Sequence, residues 1–238
     1  MIDKIQKSRT MKTSVFLFNN TLQSLFTITG LCLVFFLGSC KKDTKTEGTA
    51  RVTFVNAVST SIPQDLYQGQ VRVSSRSIGF GQNTGPIIAA SRKPLYLNNY
   101  GTQVTTKGIS INIPVGTSYT YFYTHKKENN SLTILEVQDD TKNLPGKAKV
   151  RFANMNNFLS GGITIKDNSG TVIYTSLMHN EISSYVVLDP AVVLNITYKG
   201  TVTPVILNDA KLTNGKNYTI WFSGNGNGKV DYHVIMQD

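Results

Sequence analysis

Ala50-Arg51-Val52-Thr53-Phe54-Val55-Asn56 is written twice in this chain, the second time as Ala148-Lys149-Val150-Arg151-Phe152-Ala153-Asn154, 98 residues on. Gly116-Thr117-Ser118-Tyr119-Thr120-Tyr121-Phe122 likewise returns as Gly215-Lys216-Asn217-Tyr218-Thr219-Ile220-Trp221, 99 residues on. Two separate motifs at nearly one offset mean an internal duplication. Each copy also alternates. Val52, Phe54 and Asn56 interleave with Arg51, Thr53 and Val55, and Tyr119, Tyr121 and Tyr123 interleave with Thr120, Phe122 and Thr124. A period of two is the signature of a strand.

The same signal continues on both sides. Ile109, Ile111 and Ile113 alternate and stop at Pro114. Ile163 and Ile165 lead into Lys166-Asp167-Asn168-Ser169-Gly170, a turn, and then Thr171 to Tyr174. Tyr218 to Phe222 and Val230 to Met236 flank Gly224-Asn225-Gly226-Asn227-Gly228, which predicts a hairpin. No window shows a 3.6-residue period with caps. About seven short strands in about 95 residues predicts an all-β chain of two tandem immunoglobulin-like β-sandwich modules, residues 49–140 and 141–238. Each Gly-x-x-Tyr-Thr motif is suited to a tyrosine corner, its hydroxyl bonding back to upstream backbone.

The first forty residues read differently. Lys4, Lys7, Arg9 and Lys12 form a basic start, and either Met1 or Met11 can open it. Leu25 to Leu37 is an uncharged run of 13 residues, the length of a signal h-region and short of the about 20 a spanning helix needs. Leu37-Gly38-Ser39-Cys40 follows, then Lys41-Lys42-Asp43. This resembles the lipobox of bacterial lipoproteins. The resemblance implies a signal peptide over 1–39, cleavage before Cys40, and diacylglycerol on its thiol, with a third acyl chain (palmitate or similar) on the new amine. Two or more chains give stable anchoring. Residues 40–48 then form the lipidated cysteine and a polar tether. In similar proteins Asp directly after the cysteine favours the inner membrane. Here that residue is Lys41, so the outer membrane is expected.

Composition narrows what the exported body can be. Hydrophobic residues are 40% and charged ones 16%, which suits a folded core rather than a disordered chain. Net charge is +10, and removing residues 1–39 leaves about +7, spread as singles and pairs rather than as a nucleic-acid stripe. Cys32 and Cys40 are the two cysteines, so the body has no disulfide framework and no thiolate metal site.

The repeated residues also carry a family resemblance. Ala50 to Ala57, Asp65-Leu66-Tyr67 with Gly69, and Pro114-Val115-Gly116 with Tyr119-Thr120 resemble the domain of unknown function family 4397. Asp139-Asp140-Thr141 with Leu144 to Asn154 resembles the second copy of that domain. The resemblance covers nearly all of 49–238. It implies immunoglobulin-like sandwiches, often in tandem, on exported bacterial proteins and lipoproteins, and it implies no agreed activity. Module two departs at Gly161-Gly162-Ile163-Thr164-Ile165, which lacks the Asp-x-Tyr of module one.

Candidate chemistry is sparse. His125, His179 and His233 have no partner at metal-ligand spacing and read as surface or loop residues. There is no Gly-x-Ser-x-Gly elbow. Asp139-Asp140 lacks the alternating ligands of a cation loop. Gly224 to Lys229 lacks the Ser/Thr and the helix of a phosphate loop. No catalytic residue, metal or cofactor is therefore assigned. The remaining signal is aromatic. Tyr96 and Tyr100 bracket Asn98-Asn99, an arrangement able to stack on a sugar ring, while Tyr119, Tyr121 and Tyr123 fit a sandwich core. The first expectation is a non-catalytic envelope lipoprotein, held to the membrane through Cys40 and displaying two modules to another protein or the cell wall. A glycan-binding surface lipoprotein is the alternative, and an enzyme the third.

Overall fold

The computed structural model describes residues 48–91, 93–102, 105–109, 113–208 and 210–237. These lie in one compact unit, Glu47–Asp238. The basic start, the apolar run and the lipobox of Leu37, Gly38, Ser39 and Cys40 lie outside the described residues. Among the described residues no helix is long and apolar enough to cross a membrane.

Among the described residues, sixteen strands are arranged as the same eight taken twice. The first set is β1 (Thr49–Asn56), β2 (Gln64–Gln68), β3 (Val71–Arg72), β4 (Ile87–Ala90), β5 (Leu95–Asn99), β6 (Thr105–Ile109), β7 (Ser118–His125) and β8 (Leu132–Gln138). The second is β9 (Ala148–Asn154), β10 (Ile163–Asp167), β11 (Val172–Leu177), β12 (Val186–Leu188), β13 (Leu194–Thr197), β14 (Val205–Ile206), β15 (Asn217–Ser223) and β16 (Asp231–Met236). Module one pairs β4-β1-β7-β8 in one sheet and β3-β2-β5-β6 in the other. Module two repeats both orders, as β12-β9-β15-β16 and β11-β10-β13-β14. β1 runs parallel to β7, and β9 parallel to β15, so the repeated motifs are neighbouring strands in each copy. The architecture is two tandem immunoglobulin-like sandwiches, each with eight strands rather than about seven.

Each sandwich has its own core. Val52, Phe54, Leu66, Ile78, Leu97, Tyr121 and Tyr123 fill the first. Val150, Phe152, Ile165, Ile196, Ile220 and Phe222 fill the second, with the Phe152 and Phe222 rings stacked at 6.5 Å. The tyrosine stripe of β7 is therefore core, as its period predicts.

The other face of these central sheets is buried as well. Thr53, Val55, Thr120, Phe122 and Thr124 should face water in a single half-solvated sandwich, yet all are buried. The reason is a third cluster: Val55, Ala57 and Phe122 of module one pack against Ala153, Met155, Trp221 and Ile235 of module two. Phe122 meets Trp221 edge-on at 6.1 Å. The two modules are thus welded through equivalent sheets, with the starts of β1 and β9 at the same end. The result is four layers, in which the sheets around β2 and β10 form the two outer faces.

The repeated asparagines close the strand ends. Asn56 accepts a hydrogen bond from the Val58 amide and donates to the Ile78 carbonyl, and Asn154 does the same with Asn156 and Leu177. The repeated glycines, Gly116 and Gly215, sit at φ +74° and +73°, a turn that side chains resist. The tyrosine corner forms in module two, where the Thr213 amide donates to the Tyr218 hydroxyl at 3.0 Å. In module one the matching position is Pro114, which has no N–H to give.

Candidate functional site

The densest polar chemistry lies at the weld, near the ends of β8 and β16. Arg151 and Asp139 form an ion pair with both side chains 1% exposed. Arg151 also donates to the Thr219 hydroxyl at 2.7 Å and to the Gln138 carbonyl at 2.7 Å. Ser118 and Thr120 donate to Asp139, each at 2.8 Å. Gln237 donates to Asp139 and to Thr219, both at 2.7 Å, and accepts from the Tyr185 hydroxyl. The Tyr185 ring lies 5.2 Å from the guanidinium. Its hydroxyl is pushed up, by burial first, and so remains a neutral donor. These groups engage one another, so the network fixes the two modules.

The adjacent aspartates considered as a cation loop are engaged as well. Asp139 is taken by Arg151, and Asp140 by Lys149, whose hydrogen bond pulls the Asp140 carboxyl below its usual range. Among the described residues no three His, Cys, Asp or Glu side chains come together.

The histidines divide. His125 ends β7 and bonds the Asn130 carbonyl through Nδ1 at 2.8 Å. His179 lies in a turn, with Nε2 buried and unpartnered. His233 is not a loop residue. It sits on β16, stacked on Trp221 with ring centroids 4.0 Å apart and Nε2 2.8 Å from the Ser223 hydroxyl, close to Gly81 of module one. Burial pulls both His179 and His233 down to about 4, with His125 and Lys127 adding to the effect at His179. Both are therefore neutral at pH 7.

The aromatic and amide residues at 96–100 are split by the pleat. Asn99 faces inward, accepting from Gln64 at 2.9 Å and from Thr106 at 2.7 Å. Asn98 is buried, paired across the sheet with Asp65, which is itself held by Arg72 and Ser77. Tyr100 lies past the strand end, exposed, its amide bonded to Pro63. The two tyrosines that lie together are instead Tyr67 and Tyr96, directly opposite on β2 and β5 and half-buried on the outer face. The Asp-x-Tyr motif carried this signal, because residues two apart on a strand share a face. Module two has Thr164, Lys166, Asn195 and Thr197 at the matching places, so the aromatic face belongs to module one alone.

Gly224 to Lys229 is the hairpin between β15 and β16, closed by asparagine side chains onto backbone amides.

Comparison with known proteins finds one family model similar to part of the chain. Residues 50–158, from β1 through β9, match the family described as "Domain of unknown function (DUF4397)". No curated protein matches the chain. Similar solved structures include a family 26 carbohydrate-binding module from Eubacterium rectale in complex with maltoheptaose, at 11% identity and a TM-score of 0.25, covering 78% of this chain and 96% of that one. A candidate cell adhesion protein from Bacteroides uniformis aligns at 8% identity and a TM-score of 0.26, covering 83% of this chain and 99% of that one.

Proposed function

We propose that this protein, whose residues 50–158 match the DUF4397 family model, is a non-catalytic lipoprotein of the bacterial outer membrane. It is anchored through acyl chains on Cys40 and displays its two sandwiches, as one rigid body, to another envelope protein or the cell wall. The observation that carries the non-catalytic reading is the weld. Asp139, Arg151 and His233, groups of the kind catalysis recruits, are engaged at the joint between the modules. A joint with a buried ion pair, a Trp–His stack and an apolar cluster holds two domains as one body, where small polar interfaces leave them free to move.

Feeding cells an alkyne-bearing palmitate tests the anchor. Label should enter the wild-type chain and be absent from Cys40→Ser. A wild-type chain without label overturns it. A pull-down from envelope extract and a glycan array, both with residues 47–238, test the display role.

Tyr67 and Tyr96 support a second reading, glycan binding on the outer face of module one. Two tyrosines opposite each other on β2 and β5, with Arg72 opposite Tyr67 on β3, suit a sugar ring, which stacks its C–H face on aromatics and hydrogen-bonds at its edge. Tyr67→Ala should then abolish any array signal. A signal unchanged by that substitution removes this face from consideration.

A further inference from the structure

The strand directions place one set of residues where the chain enters from the tether. β1 and β9 both begin at that end, as do β7 and β15, while β4, β8, β12 and β16 finish there. The end therefore collects Arg51, residues 91 and 93–94, the turn at 114–117, the linker 139–147, and the turn after Leu188. Two kinds of side chain are gathered on it.

The first kind is basic. Lys93 and Lys142 are exposed. Arg51 lines an open cleft of about 280 Å³ together with Thr49, Thr117, Ser118 and Thr141. Its counterpart in module two, Lys149, is paired with Asp140, but Arg51 has no carboxylate partner among the described residues. The acids described at this end are occupied. Asp140 holds Lys149, Asp189 lies 3.6 Å from Lys147, Asp139 is buried on Arg151, and Asp167 accepts from the amides of its own turn.

The second kind is apolar. Val71, Ile88, Val115, Leu144, Val187 and Val193 are all large hydrophobic side chains left exposed, and each lies at or within two residues of this end of its strand or loop. Ile88 is 63% exposed and borders the Arg51 cleft. Val115 lies against Gly48, where the tether meets the fold. Exposed apolar side chains interspersed with lysine and arginine are the composition of surfaces that sit in the lipid headgroup region.

We propose that this end is a membrane-contact face. Val115, Ile88 and Leu144 enter the headgroup layer, while Arg51, Lys93 and Lys142 pair with the phosphates of anionic lipids, one of them in the Arg51 cleft. Eight residues, 41–48, separate Cys40 from β1, and they span at most about 27 Å when fully extended. Anchoring would therefore keep this face close to the bilayer at all times, so that a weak contact is occupied by proximity. The far end, with the β7–β8 hairpin and the loops at 155–158 and 224–230, would then point away. The choice of which end faces the membrane rests on the lipid anchor, but the affinity of the face does not.

The test uses residues 47–238, which form a compact unit with their own cores and contain no cysteine. The protein is sedimented with vesicles of phosphatidylcholine alone and of phosphatidylcholine mixed with phosphatidylglycerol. Binding is expected to the anionic vesicles, to weaken with salt, and to fall about five-fold for each of Arg51, Lys93 and Lys142 changed to Ala. Lys126→Ala and Lys127→Ala, at the far end, should leave it unchanged. An environment-sensitive fluorophore on Val115→Cys should shift to the blue on the anionic vesicles, and the same label on Lys127→Cys should not. Equal binding to neutral vesicles, equal loss from both sets of lysines, or labels that respond alike would each overturn the proposal. So would displacement by inorganic phosphate beyond what chloride of equal ionic strength achieves, which would make the cleft a site for free phosphate. Because this protein lacks Cys40, failure here leaves the palmitate result untouched, and the reverse also holds.

Discussion

Replacing Arg151 with threonine, the residue module one carries at the matching position Thr53, isolates the weld. Arg151 and Asp139 are both 1% exposed, so the substitution leaves a carboxylate out of water with no counter-charge. Ser118, Thr120 and Gln237 would still donate to it. Three neutral donors soften the loss without supplying charge, and Thr219 and the Gln138 carbonyl each lose a partner. Breaking a buried pair from one side costs about 3–5 kcal/mol, and the retained donors favour the lower half of that range. For a body of this size that lowers the melting temperature by roughly 6–15 °C. Removing both charges is a different perturbation, because no lone charge is left buried. Arg151→Thr combined with Asp139→Asn should recover more than half of the loss. The assay is urea unfolding at pH 7 of wild type, each single variant and the double, read as a double-mutant cycle. A single-variant loss below about 1 kcal/mol, or a double variant as unstable as the worse single, would refute the account of a buried, mutually dependent pair.

Acid should loosen the same joint. His179 and His233 are held down at about 4 by burial, against 6.5 when unfolded, so the unfolded chain takes up protons first. Their contribution is complete above pH 6.5 and is lost as pH falls from 6.5 towards 4, by roughly 1–3 kcal/mol each after allowing for partial solvent screening. The urea midpoint should fall over that window in wild type and fall less in His233→Phe; parallel curves would exclude His233 as a source. Trp221→Ala should cost about 3–5 kcal/mol, since it empties the centre of the weld and removes the partner of Phe122 and His233. A loss below about 1 kcal/mol in calorimetry would mean the modules re-close around the gap.

The core and the pairing of the modules differ in how far residues alone reveal them. Alternation at Val52, Phe54, Tyr121 and Tyr123 has one physical meaning, a strand with a buried face, and the core follows from it. Short strands such as Val71–Arg72 and Val205–Ile206 hold too few residues to show a period. The weld was encoded as an anomaly. Val55, Phe122 and Trp221 are apolar on the face that a solitary sandwich turns to water, and an apolar face needs a partner. Asn98 and Asn99 could not be sorted by composition. Adjacent residues on a strand point to opposite sides, and only the register with Gln64 and Asp65 shows that Asn99 turns inward while Asn98 lies opposite Asp65.

The duplicated faces also explain why the weld joins unlike residues. Two identical modules packed through one shared face would meet with the same residue on both sides of the axis. Here Val55, Ala57 and Phe122 face a set in which the matching residues are Ala153, Met155 and Trp221. Two positions have grown and one has shrunk, which keeps the joint filled while making each half a poor partner for itself. The charges follow the same logic. Thr53 and Arg151 occupy equivalent places, so the joint holds one buried cation beside Asp139 rather than two in opposition. Arg151 in both modules would set a second guanidinium in the same layer, and Thr in both would leave Asp139 unpaired. The asymmetry therefore favours pairing of unlike modules over pairing of like ones.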